Sequence, residues 1–160
     1  MQKRTLAAAE LPKKWRRIAE TRCAEQGERL TPARLGAYAE LIAERSPMTA
    51  YQLVARLEAV QGRKVAPLTV YRHLDFLKRV GLVHRIESTQ SYVPCEHPDH
   101  AHESQYLLCS SCGQVDEIDS KALANLLKSL ADEHKFTCTR AIVELSGVCR
   151  QCARSAAKSS

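Results

Sequence analysis

The sequence predicts an α+β protein built from two small domains, the first helical and basic, the second mixed and rich in metal-ligand side chains. Three observations carry that reading. Residues 1–91 hold 17 of the 24 Lys and Arg and 9 of the 18 Asp and Glu, whereas residues 92–160 hold 7 basic and 9 acidic residues. Cysteine is split the other way: Cys23 lies in the first part and the other six of seven in the second, with four of the six histidines. The elements themselves run first as helices closed by two short β-prone runs, then as strands around one helix.

Residues 12–27 read as a basic helix with Trp15, Ile18, Ala19 and Cys23 on its apolar side; the lone Cys23 counts there as a small apolar residue. Thr31 is placed to cap a second helix that has Pro32 in its first turn, and Leu35, Tyr38, Leu41 and Ile42 recur at helical spacing. Ser46-Pro47 ends it. A third helix begins at Thr49 or Ala50, with Leu53, Val54 and Leu57 on one face. After the basic connection Gly62-Arg63-Lys64, residues 67–80 form a fourth helix with Val70, Leu74 and Leu77 on one face and Gly81 as its stop. Residues 82–86 and 91–93 are β-prone around the turn Glu87–Gln90. Three helices followed by a hairpin describe a winged helix, in which the third and fourth helices are the helix-turn-helix pair.

Residues 94–103 carry Pro94, Pro98 and three histidines and read as a hinge with ligands. Beyond it, residues 104–108 and 114–118 are strands. Asp119 or Ser120 caps a helix with Leu123, Leu126, Leu127 and Leu130 in one stripe. Residues 136–148 alternate as one long strand, and the residues after Cys152 are a short basic tail. The expected division is a domain over residues 1–93 that includes an N-terminal extension, a hinge over 94–103 and an αβ domain over 104–160. A domain this small buries little core and gains from a metal or a partner subunit.

Composition narrows the class of function. The chain has 160 residues, 44% apolar and 26% charged, a globular mix. Its apolar runs, such as residues 106–109 and 141–143, are far too short to span a bilayer. Leu6–Ala9 is cut off at Glu10 before a signal-peptide core forms. These features point to a cytoplasmic protein. The basic first part, within a net charge of +6, points to a polyanion partner such as nucleic acid.

The strongest chemical signal is Cys109-Ser-Ser-Cys112-Gly113 paired with Cys149-Arg-Gln-Cys152. Two thiolates three residues apart on a turn reach one Zn²⁺, and two such turns complete a tetrahedron with no open position, a structural site. Disulfides or a redox Cys-x-x-Cys compete, without a secretion signal or a thioredoxin-like context to favour them. A second constellation, His84, Cys95, His97, His100, His102 and Glu117, has no short motif. Surface histidines and a solvated carboxylate are the competing reading. A metal drawing on His84, Cys95, His102 and Glu117 would tie the two domains together. The third signal, Pro67–Arg72, opens the fourth helix, where the turns of a helix-turn-helix face base edges. There Arg72 can bond a guanine edge, Thr69 a phosphate and Tyr71 a sugar or a thymine methyl. The alternative has Thr69 as a cap and Arg72 merely solvated. Tyr51 reads as core by position, and His73 and His134 as helix-surface residues.

Thr69-Val70-Tyr71-Arg72, the Leu82-Val83-His84 wing and the paired Cys-x-x-Cys motifs together resemble the ferric uptake regulator family of bacterial metal-sensing repressors, from about Leu30 to Cys152. Residues 82–95 look closest to its zinc uptake regulator branch. The resemblance implies an N-terminal winged-helix DNA-binding domain, a C-terminal αβ dimerisation domain, a homodimer and zinc-dependent binding to a palindromic operator. It implies a structural zinc on Cys109, Cys112, Cys149 and Cys152. It also implies a regulatory zinc on His84, Cys95, His102 and Glu117, hence two Zn²⁺ per chain, with His97 and His100 as extra candidates. Tyr51, Tyr71 and Arg72 fall on its DNA-contact positions; Lys64 and Thr69 are added by their own chemistry, as expected phosphate contacts. A further metal site of iron-sensing members falls at Ala124 and Ala141, which cannot ligate.

The expected function is therefore that of a zinc-responsive regulator, mainly a repressor, of zinc homeostasis genes, and not of an enzyme. An iron or peroxide sensor is the alternative within the class, disfavoured by the Cys95 thiolate. A zinc hydrolase built on His84, His102 and Glu117 is the alternative outside it. That would need an open coordination position and a nearby general base, whereas four protein ligands leave no position open and the sequence shows no nucleophile motif.

Overall fold

The computed structural model of the chain describes residues 11–44, 46–96, 98 and 104–158. His97, His100 and His102 lie outside the described residues. The chain divides into two compact units, Met1–His100 and Ala101–Ser160.

In the first unit, α1 (Lys13–Glu25) buries Ala19 and Cys23, with Trp15 and Ile18 packed half-buried on the same core. Burial pushes the Cys23 thiol up from its ordinary value, the behaviour of a cysteine packed as a hydrophobe. Trp15 meets Tyr38 edge to face, with ring centroids 6.4 Å apart. The second helix, α2 (Pro32–Glu44), starts where Thr31 Oγ1 accepts from the Arg34 N–H at 3.4 Å. Helix α3 (Ala50–Gln61) starts at a reciprocal box: Thr49 accepts from the Gln52 N–H while the Gln52 side chain accepts from the Thr49 N–H. Arg56 of α3 reaches back to α2, 3.3 Å from Glu40 and also paired to Glu44; Glu40 is fully buried. Its guanidinium fixes one helix of the pair against the other.

Helix α4 (Pro67–Arg79) has Ala66 at its N-cap with no side-chain bond, and Pro67 fills the first turn. Val70, Leu74, Phe76 and Leu77 are buried. At Gly81 the chain turns with φ +72°, a conformation that favours glycine, while the Arg22 guanidinium 2.8 Å from where a Cβ would be is the tip of a flexible side chain that can shift. The wing follows as β2 (Val83–Ile86) and β3 (Ser91–Pro94), antiparallel, with His84 opposite Val93. A two-residue strand that the periodicity does not predict, β1 (Met48–Thr49), completes the sheet in the order β1-β3-β2. Its pairing of Met48 with Tyr92 is purely tertiary. This is a winged helix, as expected.

The second unit is a three-stranded sheet in the order β5-β4-β6. The central β4 (Ser104–Cys109) pairs antiparallel with β5 (Val115–Ile118) and parallel with β6 (Ile142–Gly147). Between β5 and β6 runs α5 (Lys121–Glu133), capped by Ser120. The buried Gln105 side chain brackets that cap, accepting from the Ser120 N–H at 3.2 Å and donating to its carbonyl at 3.3 Å. Two expectations change here. The strand expected over 136–148 is only β6, because β4 offers six partners, from Ser104 opposite Ile142 to Cys109 opposite Gly147. The basic tail is helix α6 (Arg150–Lys158), begun directly after Cys149. Among the described residues this unit fully buries only Gln105, Tyr106 and Cys109. The leucine stripe of α5 stays open, with Leu126 65% and Leu130 52% exposed.

Candidate metal centre and recognition helix

Cys109 ends β4, and Cys112 follows in a turn that needs Gly113 at φ +73°. The parallel register sets Cys109 beside Gly147, so the chain leaving β6 delivers Cys149 to the first turn, and the first turn of α6 supplies Cys152. Ser110 fixes the junction twice, its N–H at 2.8 Å and its hydroxyl at 3.0 Å from the Gly147 carbonyl. All four sulfurs lie within 4.8 Å of one another. The Cys112 and Cys149 sulfurs are 3.9 Å apart. A disulfide needs about 2.05 Å. A tetrahedron with Zn–S bonds of ~2.3 Å has edges of roughly 3.8 Å. The quartet therefore has the size of a zinc site.

Its electrostatics point the same way. The Cys149 N–H donates to Cys109 Sγ at 3.3 Å and, with the Cys112 N–H, lowers that thiol to about 6. Cys152 is pushed up to about 12, chiefly by the sulfurs of Cys149 and Cys112. One thiolate forms readily and opposes the next, so four become anions together only around a cation. Sequence spacing alone missed the Ser110 and Cys149 donors, since any residue supplies a backbone N–H.

In the first unit, His84 stands on β2 and Cys95 just past β3. The Cys95 N–H donates to the Leu82 carbonyl at 3.0 Å, extending the ladder one step. Because His84 faces Val93, Cys95 is its diagonal neighbour on the same face. A ring nitrogen of His84 and Cys95 Sγ fall within 4.8 Å, and Cys95 is buried. This pair is a nitrogen–thiolate half-set for zinc. Glu117 lies in the second unit, on β5 opposite Tyr106.

The face of α4 away from the core carries Tyr71, 39% exposed, and Arg72, also exposed; Thr69 is exposed as well. Thr69 is inside the helix and not its cap, since its N–H donates to Ala66, the N-cap. Tyr51, read as core from its position, is 70% exposed in the first turn of α3. Lys64 is exposed between α3 and α4, 3.6 Å from Glu58. His73 is half-buried, and that burial, ahead of the Arg34 charge, lowers its pKa.

The model of the ferric uptake regulator family matches residues 25–146. The zinc uptake regulation protein of Escherichia coli (strain K12) is 36% identical over 135 residues, covering 84% of this chain and 78% of its own. The ferric uptake regulation protein of Campylobacter jejuni is 30% identical over 104 residues, 63% of this chain and 64% of its own. A zinc uptake regulator complexed with zinc and DNA superposes with a TM-score of 0.85 at 33% identity, covering 91% of this chain and 99% of that one. The crystal structure of holo XcZur gives 0.80 at 33% identity, covering 89% and 99%. Among the described residues, no helix is long and apolar enough to cross a membrane.

Proposed function

The chain belongs to the ferric uptake regulator family, and from that premise we propose that it is a zinc-responsive DNA-binding regulator, mainly a repressor, of zinc homeostasis genes in the bacterial cytoplasm. It binds double-stranded operator DNA as a homodimer and is not an enzyme. The observation that carries the zinc reading is the Cys109, Cys112, Cys149 and Cys152 quartet at zinc dimensions. The likeness to zinc regulators, broader and higher in identity than the likeness to iron regulators, favours zinc as the signal as well as the staple.

We assign two zinc ions to each chain. The cysteine quartet holds the structural one. His84, Cys95, His102 and Glu117 hold the regulatory one; the His84–Cys95 pair supports this assignment, and His97 and His100 are further donors for it. Zinc supplies a dication around which donors from wing, hinge and second domain must gather. The protein supplies the bias: those donors meet in one arrangement of the domains, and that arrangement sets the spacing of the two recognition helices in the dimer. Tyr51, Lys64, Thr69, Tyr71 and Arg72 then meet DNA, with Arg72 on a base edge and Lys64 on phosphate.

The test separates sensing from folding. Cys95→Ser leaves the quartet intact, so the variant is expected to be a folded dimer that keeps one zinc per chain. Its operator affinity, followed by fluorescence anisotropy at fixed salt, should no longer rise as zinc is added. A zinc response equal to wild type in midpoint and amplitude would remove the regulatory assignment.

A further inference from the structure

We propose that Leu68 is a base-reading residue, packing on the 5-methyl group of a thymine in each operator half-site. The inference rests on the reading of α4 as the recognition helix. Leu68 is 62% exposed, while Val70, Leu74 and Leu77 on the same helix are fully buried. At 3.6 residues per turn, Leu68 shares its face with Tyr71 and Arg72, three and four residues on, opposite that buried side.

Leu68 serves no visible purpose in the fold. Pro67 and Ala66 form the start of the helix, and the half-buried residue before the cap is Val65. A large apolar side chain is thus held in solvent at the N-terminal turn of the helix, beside the arginine that reads a base.

Its chemistry restricts what it can recognise. Leucine has no donor for a phosphate and no group to pair with a base edge. The apolar feature the major groove offers is the thymine methyl. The N-terminal turn of a recognition helix is the part that approaches the groove floor. Four residues of helix separate Leu68 and Arg72 by roughly 6 Å along the axis. Base steps are ~3.4 Å apart along a strand. The thymine therefore lies within two base steps of the guanine read by Arg72.

The test starts from the palindromic duplex enriched from a randomised library by the zinc-loaded full-length protein. Each thymine is replaced in turn, in both half-sites, by deoxyuridine, which deletes only the methyl. Removing one buried methyl is expected to weaken wild-type binding about fourfold per half-site. That loss should occur at a thymine within two steps of the base whose identity Arg72→Ala stops reading. Leu68→Ala should bind the thymine and uracil duplexes alike at this position, with unchanged zinc content and melting temperature. An equal uracil penalty in Leu68→Ala and wild type would overturn the proposal, since another side chain then reads the methyl. So would an enriched duplex with no sensitive thymine within reach. Enrichment with either result leaves the regulator reading standing, whereas failure to enrich any duplex overturns both.

Discussion

Arg72 sits exposed in the second turn of α4, unencumbered by the core that holds the other face of that helix. Bidentate to guanine, it is worth roughly 1–3 kcal/mol of discrimination per contact. Arg72→Ala should therefore weaken operator binding and flatten preference at one position of each half-site, as read by selection from a randomised operator library. Cys109 is a different kind of residue: it closes β4 and receives the Cys149 N–H. Its loss opens the quartet in a unit with only three fully buried described residues, and there metal binding is folding free energy. Cys109→Ser should lose the structural zinc and aggregate or sediment as monomer. A stable dimer with one zinc fewer would show the site to be dispensable for folding. Both candidates stand out in the sequence because each role needs particular side chains at particular spacings. The exposure of Tyr51 is not, because an aromatic early in a helix is equally at home in a core, and only packing decides.

At the scale of elements, the Arg56 bridge between α2 and α3 shows what holds the helix-turn-helix in shape. Glu40 is fully buried, and Arg56 is nearly so. Arg56→Ala takes the cation away from a carboxylate that cannot reach water and should destabilise the first unit by roughly 3–5 kcal/mol. The sole tryptophan, Trp15, packs edge-on to Tyr38 in the same unit, so urea unfolding followed by its fluorescence measures the loss. Helices α1 to α5 are readable from the sequence because each carries an apolar stripe with a cap, a proline or a glycine at an end. The two strand failures share a cause. Strand β1 is two residues long and exists only because β3 pairs with it. Strand β6 is cut to the length of β4, although Thr137 and Thr139 carry the β-prone pattern further back. Helix α6 is short and polar and lacks the apolar stripe that marks the other helices, so periodicity does not reveal it.

For the whole molecule, the open leucine stripe of α5 is the face on which a homodimer is expected to close. Leu123 and Leu127 are half-buried, while Leu126 and Leu130 stand in solvent, as do Phe136, Leu145 and Val148 in the same unit. Glutamates at Leu126 and Leu130 should leave the zinc quartet loaded but shift the protein to monomer in analytical ultracentrifugation, and operator affinity should fall with it. Unchanged dimerisation would move the subunit contact to another face. The quartet also has a consequence in time. Cys112 and Cys149 are 37 residues apart, and Cys109 and Cys149 are 40. During synthesis the first pair of thiols must wait for the second to leave the ribosome, and β4 waits equally for its parallel neighbour β6. Such non-local pairing is slow in any chain. Throughout that interval the early thiols are exposed to oxidants and stray metals, so zinc competes with both for them until the second pair arrives.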